Sequence, residues 1–389
     1  MAKAFRPDYN EDIIMKRNIS SAFIALSIIL SMILSLSSCS FLNLSPIKLT
    51  SYNEPLDFHT PDQLSYMLGD YEAIAAYADG HEEKSRPDAI TLTWTDSSSA
   101  GKYTVEISES EDFSNPIVLS TNETKVSVYN LKIATDYYWR VSTEEYSAEG
   151  KFTTSEIGPR NIYIDGVTNV RDLGGRMTSY GKRMVQGLLY RGARLNTSDV
   201  NNDSYKTPPQ VFVPEITEAG IDVFKNQLGI KTEIDIRLLN RNGYPADKPA
   251  ESTVPSVEYI RIPMNGNSAI GDNEAQIKLL MEILADESNY PIYLHCNIGT
   301  DRTGMLSYLI GGLCGMSEEE LMKDYLFSNF GNIGEAKEPH NSKNKYVELL
   351  SADGDYEGDT LRERIESYFI SIGVSEETYT AVRDILLGN

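Results

Sequence analysis

Residues 291–304 read Pro-Ile-Tyr-Leu-His-Cys-Asn-Ile-Gly-Thr-Asp-Arg-Thr-Gly. A short apolar run ends in His295 and Cys296, a small loop with Gly299 follows, and a helical pattern starts after Arg302. A buried strand, a Cys-x5-Arg loop and a helix in that order admit few folds. The strand has to end beside a helix N-terminus, as it does at the carboxyl edge of a parallel sheet. A loop entering a helix aims several backbone N–H groups at one point, and the helix dipole adds partial positive charge. Arg302 adds a planar fork able to hold two oxygens of a phosphate. A cysteine at the base of such a cradle sits in a positive field, which lowers its pKa and favours the nucleophilic thiolate. A plainer reading, a buried cysteine ahead of a core helix, does not require the histidine, glycine and arginine.

The stretch resembles the signature of the protein tyrosine phosphatase superfamily, His-Cys-x5-Arg-Ser/Thr, through His295, Cys296, Gly299, Arg302, Thr303 and Gly304. The resemblance implies Cys296 as nucleophile and Arg302 as phosphate clamp. It implies substrate binding by the loop residues Asn297, Ile298, Gly299 and Thr300, with Thr303 hydrogen-bonding the thiolate and His295 orienting the loop. Asn169-Val-Arg-Asp-Leu-Gly-Gly175 resembles a segment of the bacterial subgroup that includes mycobacterial tyrosine phosphatase B. Leu189-Tyr-Arg191, Asp235-Ile-Arg237, Asp324-Tyr-Leu-Phe-Ser-Asn329 and the closing stretch from Gly358 to Leu387 fit the same subgroup. They add Arg171 and Asp235 as candidate substrate-binding residues, with structural ion pairing in the core, Arg171–Asp172 and Asp235–Arg237, as the alternative. The superfamily usually takes its general acid from an aspartate upstream, but here that place holds Asn265, which cannot donate a proton as an acid. The subgroup instead carries an aspartate just before the arginine, which makes Asp301 the first candidate and Asp272 the second. A carboxylate that merely stabilises the helix dipole is the alternative for Asp301. Thr300 stands where the subgroup usually has lysine, so the pocket has one positive charge fewer unless Arg171, Arg191, Arg194 or Arg237 compensates.

The chain has 389 residues and a net charge of −22, which argues against nucleic acid and anionic membrane surfaces as partners. Four histidines without metal-ligand spacing suggest no metal, and no cofactor is expected. The N-terminus reads as an export signal: Met15-Lys-Arg-Asn, itself a candidate start, then an apolar run from Ala22 to Leu36. Leu36-Ser-Ser-Cys39 resembles a bacterial lipobox, implying cleavage of residues 1–38, lipid on Cys39, and an exported cell-envelope lipoprotein whose only membrane contact is that anchor. The third cysteine, Cys314, reads as core. Residues 39–86 read as a tether with a short helix from Pro61.

From residue 87 to 155 period-two strands alternate with turn signals. The stretch resembles a fibronectin type III domain through Trp94, Leu131, Tyr138-Trp-Arg-Val141 and Phe152-Thr-Thr154. Residues 160–389 alternate strands with helices, predicting a catalytic domain built on a mainly parallel sheet flanked by helices. The expected fold is therefore multidomain, an all-β sandwich followed by an α/β phosphatase domain. The expected substrate is a phosphorylated protein or small phosphate ester, phosphotyrosine first. Inositol phosphates or phosphoinositides, and adhesion through the fibronectin-like domain, are the alternatives.

Overall fold

A computed structural model of the chain describes residues 45–98, 100–196, 215–237, 252–265, 270–339 and 345–389. The predicted signal and Cys39 lie outside the described residues.

Seven strands form a two-sheet sandwich: β1 (Ile47–Leu49), β2 (Ile90–Asp96), β3 (Tyr103–Ser108), β4 (Ile117–Thr121), β5 (Lys125–Val128), β6 (Asp136–Ser142) and β7 (Ser147–Thr153). The sheets run β1-β2-β5 and β4-β3-β6-β7, with all strand pairs antiparallel. Alternation explains the core. Leu92 and Trp94, Val105 and Ile107, and Tyr137, Trp139 and Val141 all point inward and pack as one cluster.

The reading of residues 39–86 as a tether needs correction. Ile47–Leu49 pairs with Trp94–Asp96, so the sandwich takes its first strand from before residue 87. The chain then leaves the sandwich for helix α1 (Pro61–Leu68), started by a Thr60/Gln63 capping box and Pro61. A 3₁₀ turn (Tyr71–Ala76) follows. Tyr66, Met67, Ile74 and Ala78 from this excursion pack on Met322, Tyr325, Leu326, Phe327 and Phe330 of the unit that follows the sandwich. The apolar face seen in the sequence is thus covered by another domain.

The second unit, from residue 160 on, holds a six-stranded sheet. Its strands are β8 (Arg160–Asn161), β9 (Arg171–Asp172), β10 (Leu189–Gly192), β11 (Thr232–Asp235), β12 (Glu258–Arg261) and β13 (Ile292–His295), in the order β12-β11-β13-β10-β9-β8. The first four in that order are parallel; β9 and β8 add on antiparallel. β13 is buried on both sides, with Ile292 and Leu294 in one core and Tyr293 in the other. The first core is covered by helices α3 (Glu274–Leu284), α4 (Asp301–Leu313), α7 (Leu361–Ser371) and α8 (Glu376–Leu387). The second is covered by α2 (Glu218–Asp222), which continues as a π-helical turn to Gln227. Two shorter helices, α5 (Glu318–Leu326) and α6 (Lys345–Leu349), complete the unit. Helix α4 is buried along its whole length from Thr303 to Leu313, which fixes the start of the helix, and with it the preceding loop, against the sheet edge.

Candidate active site

Cys296 follows β13 at the carboxyl edge of the parallel strands, and α4 opens five residues later. The loop between them is tied down from outside, carbonyl by carbonyl. The Arg194 amide donates to the Asn297 carbonyl at 3.1 Å. Asn169 Nδ2 donates to Ile298 O at 2.8 Å. Arg191 Nη2 donates to Gly299 O at 2.7 Å and reaches Thr300 O at 3.5 Å. In a planar trans peptide the N–H points opposite to the C=O, so outward carbonyls turn the amides toward the hollow of the loop. Gly299 permits the turn: its φ is +70°, and a Cβ there would stand 2.2 Å from the Gly192 carbonyl oxygen.

The Cys296 thiol lies at the bottom of this hollow, 2% exposed. Burial pushes its pKa up, but the Arg302 guanidinium and the Thr303 hydroxyl and amide outweigh that, leaving it below the usual thiol value. Thr303 Oγ1 is buried, and its hydroxyl favours the charged form of the sulfur. Arg302 is anchored through Nη1 to the carbonyls of Ile236 (3.2 Å) and Met264 (3.3 Å), at the ends of neighbouring strands.

His295 sits behind the loop. Its Nε2 meets Glu233 Oε1 at 2.9 Å and its Nδ1 meets the Cys296 carbonyl at 3.0 Å. Burial disfavours its charged form, but Asp235 and Glu233 more than offset this and raise its pKa. The imidazole is therefore an internal strut, not a wall of the hollow.

Two residues read from the sequence as substrate-binding sit elsewhere. Asp235 is fully buried and chelated by Arg237 (Nε at 2.9 Å, Nη2 at 2.6 Å), with Tyr259 OH at 2.6 Å. Burial pushes its carboxyl up, yet His295, Arg237 and Tyr259 hold it far below the usual range. Arg171 is also fully buried. It binds Asp324 at 2.9 Å and clamps Asn169 Oδ1 at 2.6 Å, so it acts on the loop only through Asn169. The same Asp324 carboxylate takes Arg191 and Arg176. Of the arginines offered as compensation for Thr300, Arg171, Arg191 and Arg237 are thus committed to buried carboxylates. Thr300 itself is buried and turned back, its hydroxyl within 3.3 Å of Ile298 O and of Asn169 Nδ2.

The two acid candidates differ sharply. Asp272 is exposed on a 3₁₀ turn, where its carbonyl accepts from the Asn265 side chain at 3.2 Å. Asp301, the first residue of α4, has a side chain 24% exposed. Lys337 Nζ lies 3.0 and 3.1 Å from its two oxygens, and Tyr325 OH lies 3.4 Å from Oδ1. Lys337 was invisible to sequence reasoning, because no local pattern links a lysine in an irregular stretch to a loop 36 residues earlier. Its ammonium supplies a cation on the Asp301 side of the loop.

A profile of the tyrosine phosphatase family matches residues 162–205 and 213–388, more than half of the chain. A Cupriavidus necator protein provisionally named a tyrosine-protein phosphatase is 23% identical over 193 residues, covering 45% of this chain and 65% of its own. A tyrosine-protein phosphatase of Nostoc commune is 24% identical over 144 residues, covering 32% of this chain and 48% of its own. The chain thus spans less than two thirds of the length of either relative. Among solved structures, the core catalytic domain of the PP-IP phosphatase Siw14 from S. cerevisiae aligns over 42% of this chain and 82% of that one. Its identity is 18% and its TM-score 0.28, too slight a likeness to bear on function. The family profile ends just short of the last residue and contains the Cys296 loop, its props and Lys337; the chain belongs to the tyrosine phosphatase family.

Proposed function

We propose that this protein hydrolyses phosphate monoesters, phosphotyrosine first among them, through a cysteinyl-phosphate intermediate. The observation that carries the reading is the loop itself: a buried thiol with depressed pKa, beneath amides turned inward by outward-bound carbonyls. In the first step the Cys296 thiolate attacks phosphorus while the ester P–O bond breaks. The three equatorial oxygens, which carry the transition-state charge, are met by loop amides and the Nε–Nη2 edge of Arg302. Asp301 gives its proton to the leaving oxygen. Water then attacks the phosphocysteine, Asp301 takes a proton back, and the thiolate leaves with inorganic phosphate released. Phosphotyrosine is favoured over polyphosphorylated inositols because Arg171, Arg191 and Arg237 are bound to buried carboxylates, leaving few cations to meet additional phosphates.

The full chain should hydrolyse p-nitrophenyl phosphate in the presence of a metal chelator. Cys296→Ser should lower the rate at least about 1,000-fold, in line with losses seen when a nucleophile is removed. Equal rates for the two proteins would overturn the reading.

Two further parts belong to the proposal. The sheet order β1-β2-β5 and β4-β3-β6-β7 supports the likeness to a fibronectin type III domain, here serving as a spacer. Lipid on Cys39 would hold that spacer at a membrane. Eight residue steps separate Cys39 from Ile47, so the sandwich would sit within about 30 Å of the bilayer, at most ~3.6 Å per residue.

A further inference from the structure

Lys337 is an unusual residue: a lysine whose side chain is 1% exposed, spanning both oxygens of an aspartate about three-quarters buried. Glu335 binds its ammonium from the other side. Its backbone is pinned by Asn329, whose Nδ2 donates to Lys337 O and whose Oδ1 accepts from Lys337 N, both at 2.8 Å. The stretch carrying it is held in turn by residues that precede β2. Gly80 N donates to Asn329 O at 2.8 Å, and Gly80 O accepts from the Ile333 and Gly334 amides at 2.9 and 2.8 Å. Lys84 N donates to Phe330 O at 2.6 Å. Gly80 has φ +81°, and a Cβ on it would fall 2.2 Å from Glu335 O.

We propose that Lys337 is the positioning residue for the Asp301 carboxylate, and that residues 80–84, outside the matched family region, hold Lys337 in place. The proposal rests on the reading of Asp301 as proton donor. The groups facing Asp301 are Lys337, Tyr325 from α5 and Tyr346 from α6, with Cys296 in its own loop. A cation bound at both oxygens fixes the direction of the carboxyl. Removing the cation frees the carboxyl to turn away from the leaving oxygen.

The test compares phenyl phosphate, whose leaving group needs a proton, with p-nitrophenyl phosphate, whose leaving group does not. In the full chain, Lys337→Met should lower kcat for phenyl phosphate at least about tenfold, a part of what a positioned proton donor supplies. It should leave the p-nitrophenyl phosphate rate nearly unchanged. Lys337→Arg should restore the wild-type ratio of the two rates. Gly80→Ala, which leaves every catalytic group intact, should shift the ratio in the same direction, and it carries the test if Lys337→Met does not fold. An unchanged ratio, or an equal loss with both esters, would overturn the proposal. Asp301→Asn separates the two readings: it should slow phenyl phosphate far more than p-nitrophenyl phosphate. If it preserves the wild-type dependence on leaving group, Asp301 is not the acid and the functional reading fails at that residue.

Discussion

Cys296 and Cys314 are eighteen residues apart and both buried, yet their chemistry is opposed. Burial pushes the Cys314 thiol up to about 12, with only a weak opposing pull from Arg383. At Cys296 the same burial is outweighed by Arg302 and Thr303. The thiolate of Cys296 therefore persists below the usual thiol range, and iodoacetate should alkylate it at a lower pH than an ordinary thiol while sparing Cys314. Thr303→Val removes one hydrogen bond to the charged form, so its alkylation-versus-pH curve should lie at higher pH than the wild type's. A superimposable curve would mean that the hydroxyl does not hold the sulfur. At this scale the sequence was informative wherever chemistry is local. Cys296, Arg302 and Thr303 sit within eight residues, and their spacing alone predicts a cradle. Asp235 and Arg171 were misplaced because a buried ion pair and a substrate clamp use the same residue types, and only packing tells them apart. Lys337 was missed because its relation to Asp301 exists only in three dimensions.

Strands and helices were legible in proportion to their length and periodicity. β2, β3 and β6 alternate over six or seven residues and stand where the pattern predicts. β1 has three residues, too few to show a period, and β4 alternates only between half-buried and exposed positions at the sheet edge. The helical spacing from Pro61 was visible, but what it covers was not. Tyr66, fully buried, packs edge-on to Phe330 (centroids 5.6 Å apart) and donates its hydroxyl to Lys323 O at 3.1 Å. Tyr66→Ala should cost roughly 3 kcal/mol or more, the range for deleting a buried aromatic ring. Both tryptophans lie in the sandwich, so their fluorescence reports that unit and activity reports the other. In urea the midpoint for loss of activity should shift further than the fluorescence midpoint. The reverse order would place α1 with the sandwich.

The two units are joined by more than the chain. Arg160 donates to the Asn130 and Leu131 carbonyls (2.6 and 3.1 Å) on the sandwich side and to Asp172 (2.8 Å) on the catalytic side. Asn130 exchanges hydrogen bonds with the Tyr163 backbone, and Gln186 does so with Ile133. A sandwich bound in this way is coupled to the unit that carries Cys296. If Cys39 is the anchor, wild-type cells expressing the chain should incorporate labelled palmitate into it, and Cys39→Ala should incorporate none and partition away from membranes. Label retained by the variant would remove the anchor and leave the enzyme reading untouched. The excursion through residues 60–86 has a consequence in time as well as space. Gly80 is made early, but the residues it grips, Asn329 to Gly334, appear about 250 residues later, 329 − 80 = 249 for the first. At ~5–20 residues per second that is a wait on the order of tens of seconds. A nascent chain that ends before these residues carries Cys296 without the brace for Asp301. A chain threaded N-terminus first across a membrane would therefore complete its catalytic apparatus only on the far side, sparing phosphate esters in the compartment that made it.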